Sequence, residues 1–110
     1  MFYLGIDVHG KWSTVRGFNP ESGELVEIDK LPNSREAMEH ALGALEGPLH
    51  GAMEAGTNTV PMHWMLSPCF ERLLVADPSE LWDRRRQRTA KTDRLDAEIL
   101  AHKLSRGEIK

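Results

Sequence analysis

The sequence predicts an α/β domain: a mixed five-stranded sheet with helices on both faces, in the element order βββ-α-β-α-β-α. Three observations carry this reading. Strand-type alternation fills the first third of the chain. The apolar period then lengthens to that of a helix just after Asn33. Two further short apolar strands follow, separated by helical segments, and such alternation implies crossover connections.

Positions 2, 4, 6 and 8 of Phe2-Tyr3-Leu4-Gly5-Ile6-Asp7-Val8 are apolar, the signature of a strand. His9-Gly10-Lys11 turns the chain, with Gly10 able to take positive φ. Residues 12–18 are rich in β-formers and give a second strand. Asn19-Pro20-Glu21-Ser22-Gly23 is a turn, and residues 24–30 form a third strand with Leu25, Val26 and Ile28 apolar. Asn33 and Glu36 have the spacing of a capping box, and Met38, Ala41, Leu42 and Leu45 make one helical stripe. Gly47-Pro48 stops that helix. Residues 49–54 are a short strand. A helix from Thr59 to Phe70 follows, with Pro61 in its first turn and Pro68 near its end. Residues 72–76 are a buried-type strand ended by Asp77-Pro78. Ser79 caps a short helix through Trp82, and the last helix runs from Asp93 to Ser105, ended by Gly107.

Length and composition bound the function classes. One domain fits 110 residues, and 40% hydrophobic content suits a globular chain. No run approaches the roughly 18 apolar residues of a membrane span. The first residues lack a basic n-region, so a secretory signal is not expected and a cytoplasmic protein is. Cys69 is the single cysteine, which excludes an internal disulfide framework and argues against a cysteine-based zinc site. The net charge of −3 hides an asymmetry: residues 1–83 carry 13 acids and 5 bases, residues 84–110 carry 4 acids and 9 bases. Arg84, Arg85, Arg86, Arg88, Lys91 and Arg94 concentrate the positive charge. Such a block on an acidic body is either a solvated loop or a local docking site for a polyanion.

The last helix is the most informative segment. With each residue advancing about 100°, Ala97, Leu100, Ala101 and Leu104 form the core-facing stripe. Asp93 lies within that stripe and Asp96 at its edge, whereas Arg94, Glu98, His102 and Arg106 point elsewhere. Thr92 as N-cap and the helix dipole account for Asp93. They account less well for Asp96, which lies deeper and repels Asp93 at i, i+3. Asp7 is a second anomaly, an acid in a strand whose neighbours predict cover on both faces; the alternative is an edge position facing solvent. Glu54 ends the fourth strand, and strand carboxyl ends border the binding crevice of an open α/β sheet; alone, it reads as a surface glutamate. Together the four acids suit a hard cation bound by oxygen, and two Mg²⁺ ions so held can serve phosphoryl transfer.

Gly5-Ile6-Asp7-Val8, Glu54 before Gly56, and Lys91-Thr92-Asp93-Arg94-Leu95-Asp96-Ala97 resemble the DEDD transposases of bridge-RNA-guided insertion sequences, relatives of the pilin-gene invertases. The Lys-Thr-Asp-x-x-Asp-Ala segment is the specific part. The resemblance implies that residues 1–110 are the amino-terminal RuvC-like domain, with an RNase H-like fold. It implies that Asp7, Glu54, Asp93 and Asp96 are the catalytic tetrad binding Mg²⁺, with Mn²⁺ as a substitute. It further implies DNA and a structured guide RNA as partners, homo-oligomers of the full protein, and a cytoplasmic, nucleoid-associated location. Family members continue into a coiled coil and a serine-bearing carboxy-terminal domain, which these 110 residues do not include. The loop after Glu54, Ala55-Gly56-Thr57, departs from the Ala-Thr-Gly often found in the family.

The arginine-rich loop Arg84, Arg85, Arg86 and Arg88, with Lys91, leads into the helix carrying Asp93 and Asp96. It is therefore expected to contact a nucleic-acid backbone, as is Lys11. Trp64 and Trp82 can stack on bases but are expected as core, and Met53, Met62 and Met65 as core filler. His9 shares the strand face of Asp7; His40, His50, His63 and His102 show no ligand spacing. The sequence thus reads first as the metal-dependent domain of a DNA transposase or recombinase. The alternative is a nucleic-acid-binding module that is catalytically incomplete in isolation. Half of an actin-like or sugar-kinase ATPase ranks below both, since the phosphate-binding glycine hairpin and second lobe are missing.

Overall fold

A computed structural model describes residues 1–56, 59–77 and 93–109, with the backbone alone for 93–95. The predicted basic loop and the Ser79–Trp82 helix lie outside the described residues. Five strands form one mixed sheet in the order β3-β2-β1-β4-β5. They are β1 (Phe2–Val8), β2 (Trp12–Phe18), β3 (Leu25–Pro32), β4 (Leu49–Glu54) and β5 (Arg72–Ala76). The helices are α1 (Arg35–Gly43), α2 (Thr59–Leu66) and α3 (Asp93–Ser105), with a short 3₁₀ turn at Ser67–Cys69.

β1 is the middle strand. It pairs antiparallel with β2 and parallel with β4, and β4 pairs parallel with β5. The two parallel pairings need crossovers, which the helical segments supply. Side chains alternate along each strand, so the sheet has two apolar faces. On one, Phe2, Leu4 and Ile6 pack with Met38 and Leu42 of α1 and Met62 and Leu66 of α2. On the other, Ala52 and Ala76 pack with Leu100 and Leu104 of α3 and with Ile109. The expected helices on both faces are present, and Met53, Met62 and Met65 fill the core as expected.

Local chemistry explains where element boundaries differ from the sequence reading. β3 continues to Pro32 because it takes an extra residue. Val15 pairs with Ile28 and Ser13 with Leu31, and Lys30 absorbs the bulge at φ 53°. α2 ends at Leu66 instead of reaching Phe70. Pro68 lacks an N–H and its ring would clash with the carbonyl four residues back, so the chain tightens into the 3₁₀ turn. Gly10 does not use positive φ; among the glycines, Gly23, Gly47 and Gly107 do. Gly107 closes α3 in a Schellman arrangement, with Gly107 N–H donating to Leu104 O and Glu108 N–H to Lys103 O. The N-cap of α1 is Ser34 rather than Asn33, its hydroxyl accepting from Ala37 N–H at 3.2 Å. Trp64, expected in the core, is 75% exposed on the outer side of α2.

Candidate metal centre

The site is built where α3 crosses β1. A Cβ placed on Gly5 would collide with the carbonyl oxygen of Ala97 and lie 2.8 Å from the Leu100 Cβ. The missing side chain of Gly5, with the small Ala97 and Ala101, lets the helix backbone settle directly on the strand. The helix runs against the strand direction. Ala97–Ala101 lie over Gly5, while His102 stacks on Phe18, the partner of Tyr3 nearer the start of β1. The first turn of α3 therefore lies toward the carboxyl end of β1, where Asp7 sits.

Asp7 shares the face of Gly5 by strand alternation, and its side chain is 16% exposed. Glu54 shares the face of Ala52, which packs with Leu100 and Leu104. Ile6 pairs with Met53, so Asp7 and Glu54 are each the next residue on two adjacent parallel strands. Glu54 is half-buried. The ladder runs on beyond it through Ala55 N–H to Ala76 O at 2.9 Å, and Thr59 Oγ1 donates to Gly56 O at 2.8 Å. These bonds fix the strand end that carries Glu54. Asp96 precedes Ala97 in α3 and is 2% exposed. Its burial confirms the edge of the stripe on which the sequence places it; Glu98, His102 and Arg106 are exposed, as expected.

The fold thus directs Asp7, Glu54 and Asp96 to one sheet face. Asp93 starts α3 one turn before Asp96, and its side chain lies outside the described residues. Arg84, Arg85, Arg86, Arg88 and Lys91 lie outside them as well. Lys11 is exposed on the turn between β1 and β2. Among the described residues, no three His, Cys, Asp or Glu side chains gather into a metal-binding cluster. The donor chemistry nevertheless fits a divalent ion. All four acids offer hard oxygens, and a carboxylate as buried as Asp96 is stable only when paired or bound to a cation.

Two neighbours of Asp7 escape a reading of the sequence, and a third, His9, is placed on its strand face by the sequence. Thr14 faces Asp7 across the β1–β2 ladder and is 2% exposed. Hairpin register, fixed by the length of the His9–Lys11 turn, is the signal that places it. Arg16 lies two residues further along that face, 4% exposed. Its Nη2 donates to Asp29 Oδ1 at 2.8 Å and its Nη1 to Val15 O at 2.9 Å, while Glu27 stands 3.9 Å from its Nε. The guanidinium is thus engaged on the β3 side. His9 brings Nε2 to 3.4 Å from Asp7 Oδ2 and packs at a tilt of 38° against Trp12, with ring centroids 4.2 Å apart.

Comparison with protein families matches residues 4–110 to a family described as transposase, of the IS110 DEDD type. Comparison with curated proteins finds no match. The α/β sheet with helices on both faces is that of the RNase H-like, RuvC-like fold of this family. A transposase acts on DNA, and DEDD transposases generally use divalent metal ions. No described helix is long and apolar enough to cross a membrane. On a match that spans nearly the whole sequence, the chain belongs to the IS110-type DEDD transposases.

Proposed function

We propose that this chain is the RuvC-like DEDD domain of a DNA transposase, spanning residues 1–110, and that it performs metal-dependent phosphodiester chemistry. Asp7, Glu54, Asp93 and Asp96 would hold two Mg²⁺ ions, with Mn²⁺ able to replace them. The chemistry that bound ions would supply there is polarisation of the scissile phosphate and a lowered pKa of an attacking hydroxyl or water. The single observation behind this reading is the burial of Asp96 on the sheet face that also carries Asp7 and Glu54. β1 and β4 supply two ligands from adjacent strand ends, and α3 supplies two from successive turns.

Arg84, Arg85, Arg86, Arg88, Lys91 and Lys11 would line the path of the nucleic-acid backbone beside these acids. A structured guide RNA, a serine-bearing carboxy-terminal domain and a homo-oligomer complete this reading for the full protein. The location in keeping with it is the cytoplasm, at the nucleoid. The alternative reading is a nucleic-acid-binding module that is catalytically incomplete in isolation.

Thermal melting with and without Mg²⁺ or Mn²⁺ tests the metal reading. Four like charges in one crevice repel without a cation. Metal in excess of its Kd is therefore expected to raise the melting temperature of the wild type, in proportion to the logarithm of its concentration. Asp7→Asn is expected to raise the metal-free melting temperature and to lose most of the metal response. A wild-type melting temperature indifferent to both metals would falsify the reading. Cleavage of junction DNA with Mg²⁺, compared between this chain and a longer one, separates the two readings.

A further inference from the structure

We propose that Asn33 is a positioning residue for Asp7, acting through the turn that follows β1; this rests on the reading of Asp7 as a metal ligand. Ser34 caps α1, which releases the Asn33 side chain from the capping role its sequence position suggests. The side chain instead reaches back 24 residues, Nδ2 donating to His9 O at 2.8 Å. Its Oδ1 accepts from the Ser13 hydroxyl at 2.6 Å, and its backbone N–H donates to Lys11 O at 3.0 Å. Three hydrogen bonds thus tie one asparagine to both arms and the tip of the β1–β2 turn. Ser13 is fully buried, so its bond to Asn33 is shielded from water.

What the tie holds in place is His9. Its N–H donates to Trp12 O at 2.9 Å, its carbonyl is gripped by Asn33, and its ring lies on Trp12. With backbone and ring both fixed, the imidazole stands 3.4 Å from Asp7 Oδ2 and limits rotation of that carboxylate. Partners that orient a metal-ligating side chain are worth about 10–100-fold in metal affinity. An asparagine that merely closed a hairpin would change stability and leave that affinity alone.

The test is calorimetric titration of Mn²⁺ into the 110-residue chain, with melting temperatures measured in chelator as the readout of folding. Asn33→Ala is expected to weaken Mn²⁺ binding about tenfold or more. Ser13→Ala removes one of the three bonds but keeps the grip on His9. It is expected to lower the melting temperature in chelator while holding Mn²⁺ affinity within about twofold of wild type. Asn33→Asp, similar in shape but without the Nδ2 donor, is expected to bind Mn²⁺ as weakly as Asn33→Ala, and it serves if the alanine variant does not fold. Equal Mn²⁺ affinity in wild type and either Asn33 variant overturns this proposal alone. A parallel loss of affinity in Ser13→Ala also overturns it, because affinity then follows stability. Absence of Mn²⁺ binding to the wild type overturns the metal reading together with it.

Discussion

Gly5 sets how closely α3 approaches β1, and so how near the acids of the helix come to those of the strands. Adding a methyl there meets backbone, which cannot rotate away as a side-chain tip can. Gly5→Ala is therefore expected to cost about 1–3 kcal/mol, the range for overpacking a well-filled core. Denaturant unfolding checks the cost, and the Mg²⁺-induced shift in melting temperature is expected to shrink in the same variant. The anomaly of Asp7 is legible from its strand context alone, and that of Asp96 from its place beside an apolar stripe. The role of Asn33 is not. Its spacing to Glu36 satisfies a capping rule, and Ser34, an equally good cap one residue later, takes the role. The choice between two adjacent capping residues is made by a tertiary contact, the buried Ser13 hydroxyl, that local sequence does not contain.

At the scale of elements, periodicity is enough to place β1, β2, β4, β5 and α3 at the boundaries observed. It fails where geometry depends on one unusual residue, as at the bulge of Lys30 and the break before Pro68. It fails again on α2, whose polar residues Thr59 and His63 lie beside its buried side rather than opposite it. Met62 and Leu66 of that helix are buried, whereas Val60 and Trp64, one turn apart, are 67% and 75% exposed. A helix whose polar residues do not oppose its core gives no phase from which to read its inner side. The two helices should respond differently to truncation. Trp64→Ala is expected to change stability by no more than about 0.5 kcal/mol. Leu100→Ala, fully buried between α3 and the sheet, is expected to cost about 2–5 kcal/mol. Urea midpoints of the two variants make the comparison; a Trp64 cost like that of Leu100 would mean that α2 is seated more deeply than described.

Over the whole molecule, charge and chemistry are divided. The acids of residues 1–83 keep the body negative, and the bases crowd into residues 84–110 beside the Asp93–Asp96 segment. Phosphate contacts release counterions, so affinity for DNA is expected to fall steeply between about 50 and 200 mM salt. Arg84→Ala/Arg85→Ala/Arg86→Ala is expected to weaken binding to unrelated sequences alike and to flatten the salt slope by about 3. An unchanged slope in filter-binding titrations removes this loop from the interface. The convergence of strand ends and a helix start is legible from the order βββ-α-β-α-β-α, because that order puts the ends of β1 and β4 side by side. The close seating of α3 on β1 is less legible, since it depends on the absence of a Cβ at Gly5. The most direct measurement is a crystal of the chain soaked in Mn²⁺ and examined by anomalous scattering. The expected result is a peak bounded by the carboxylates of Asp7, Glu54, Asp93 and Asp96. A soaked crystal with no peak in that crevice, or with those four carboxylates too far apart to share an ion, contradicts the metal-dependent function.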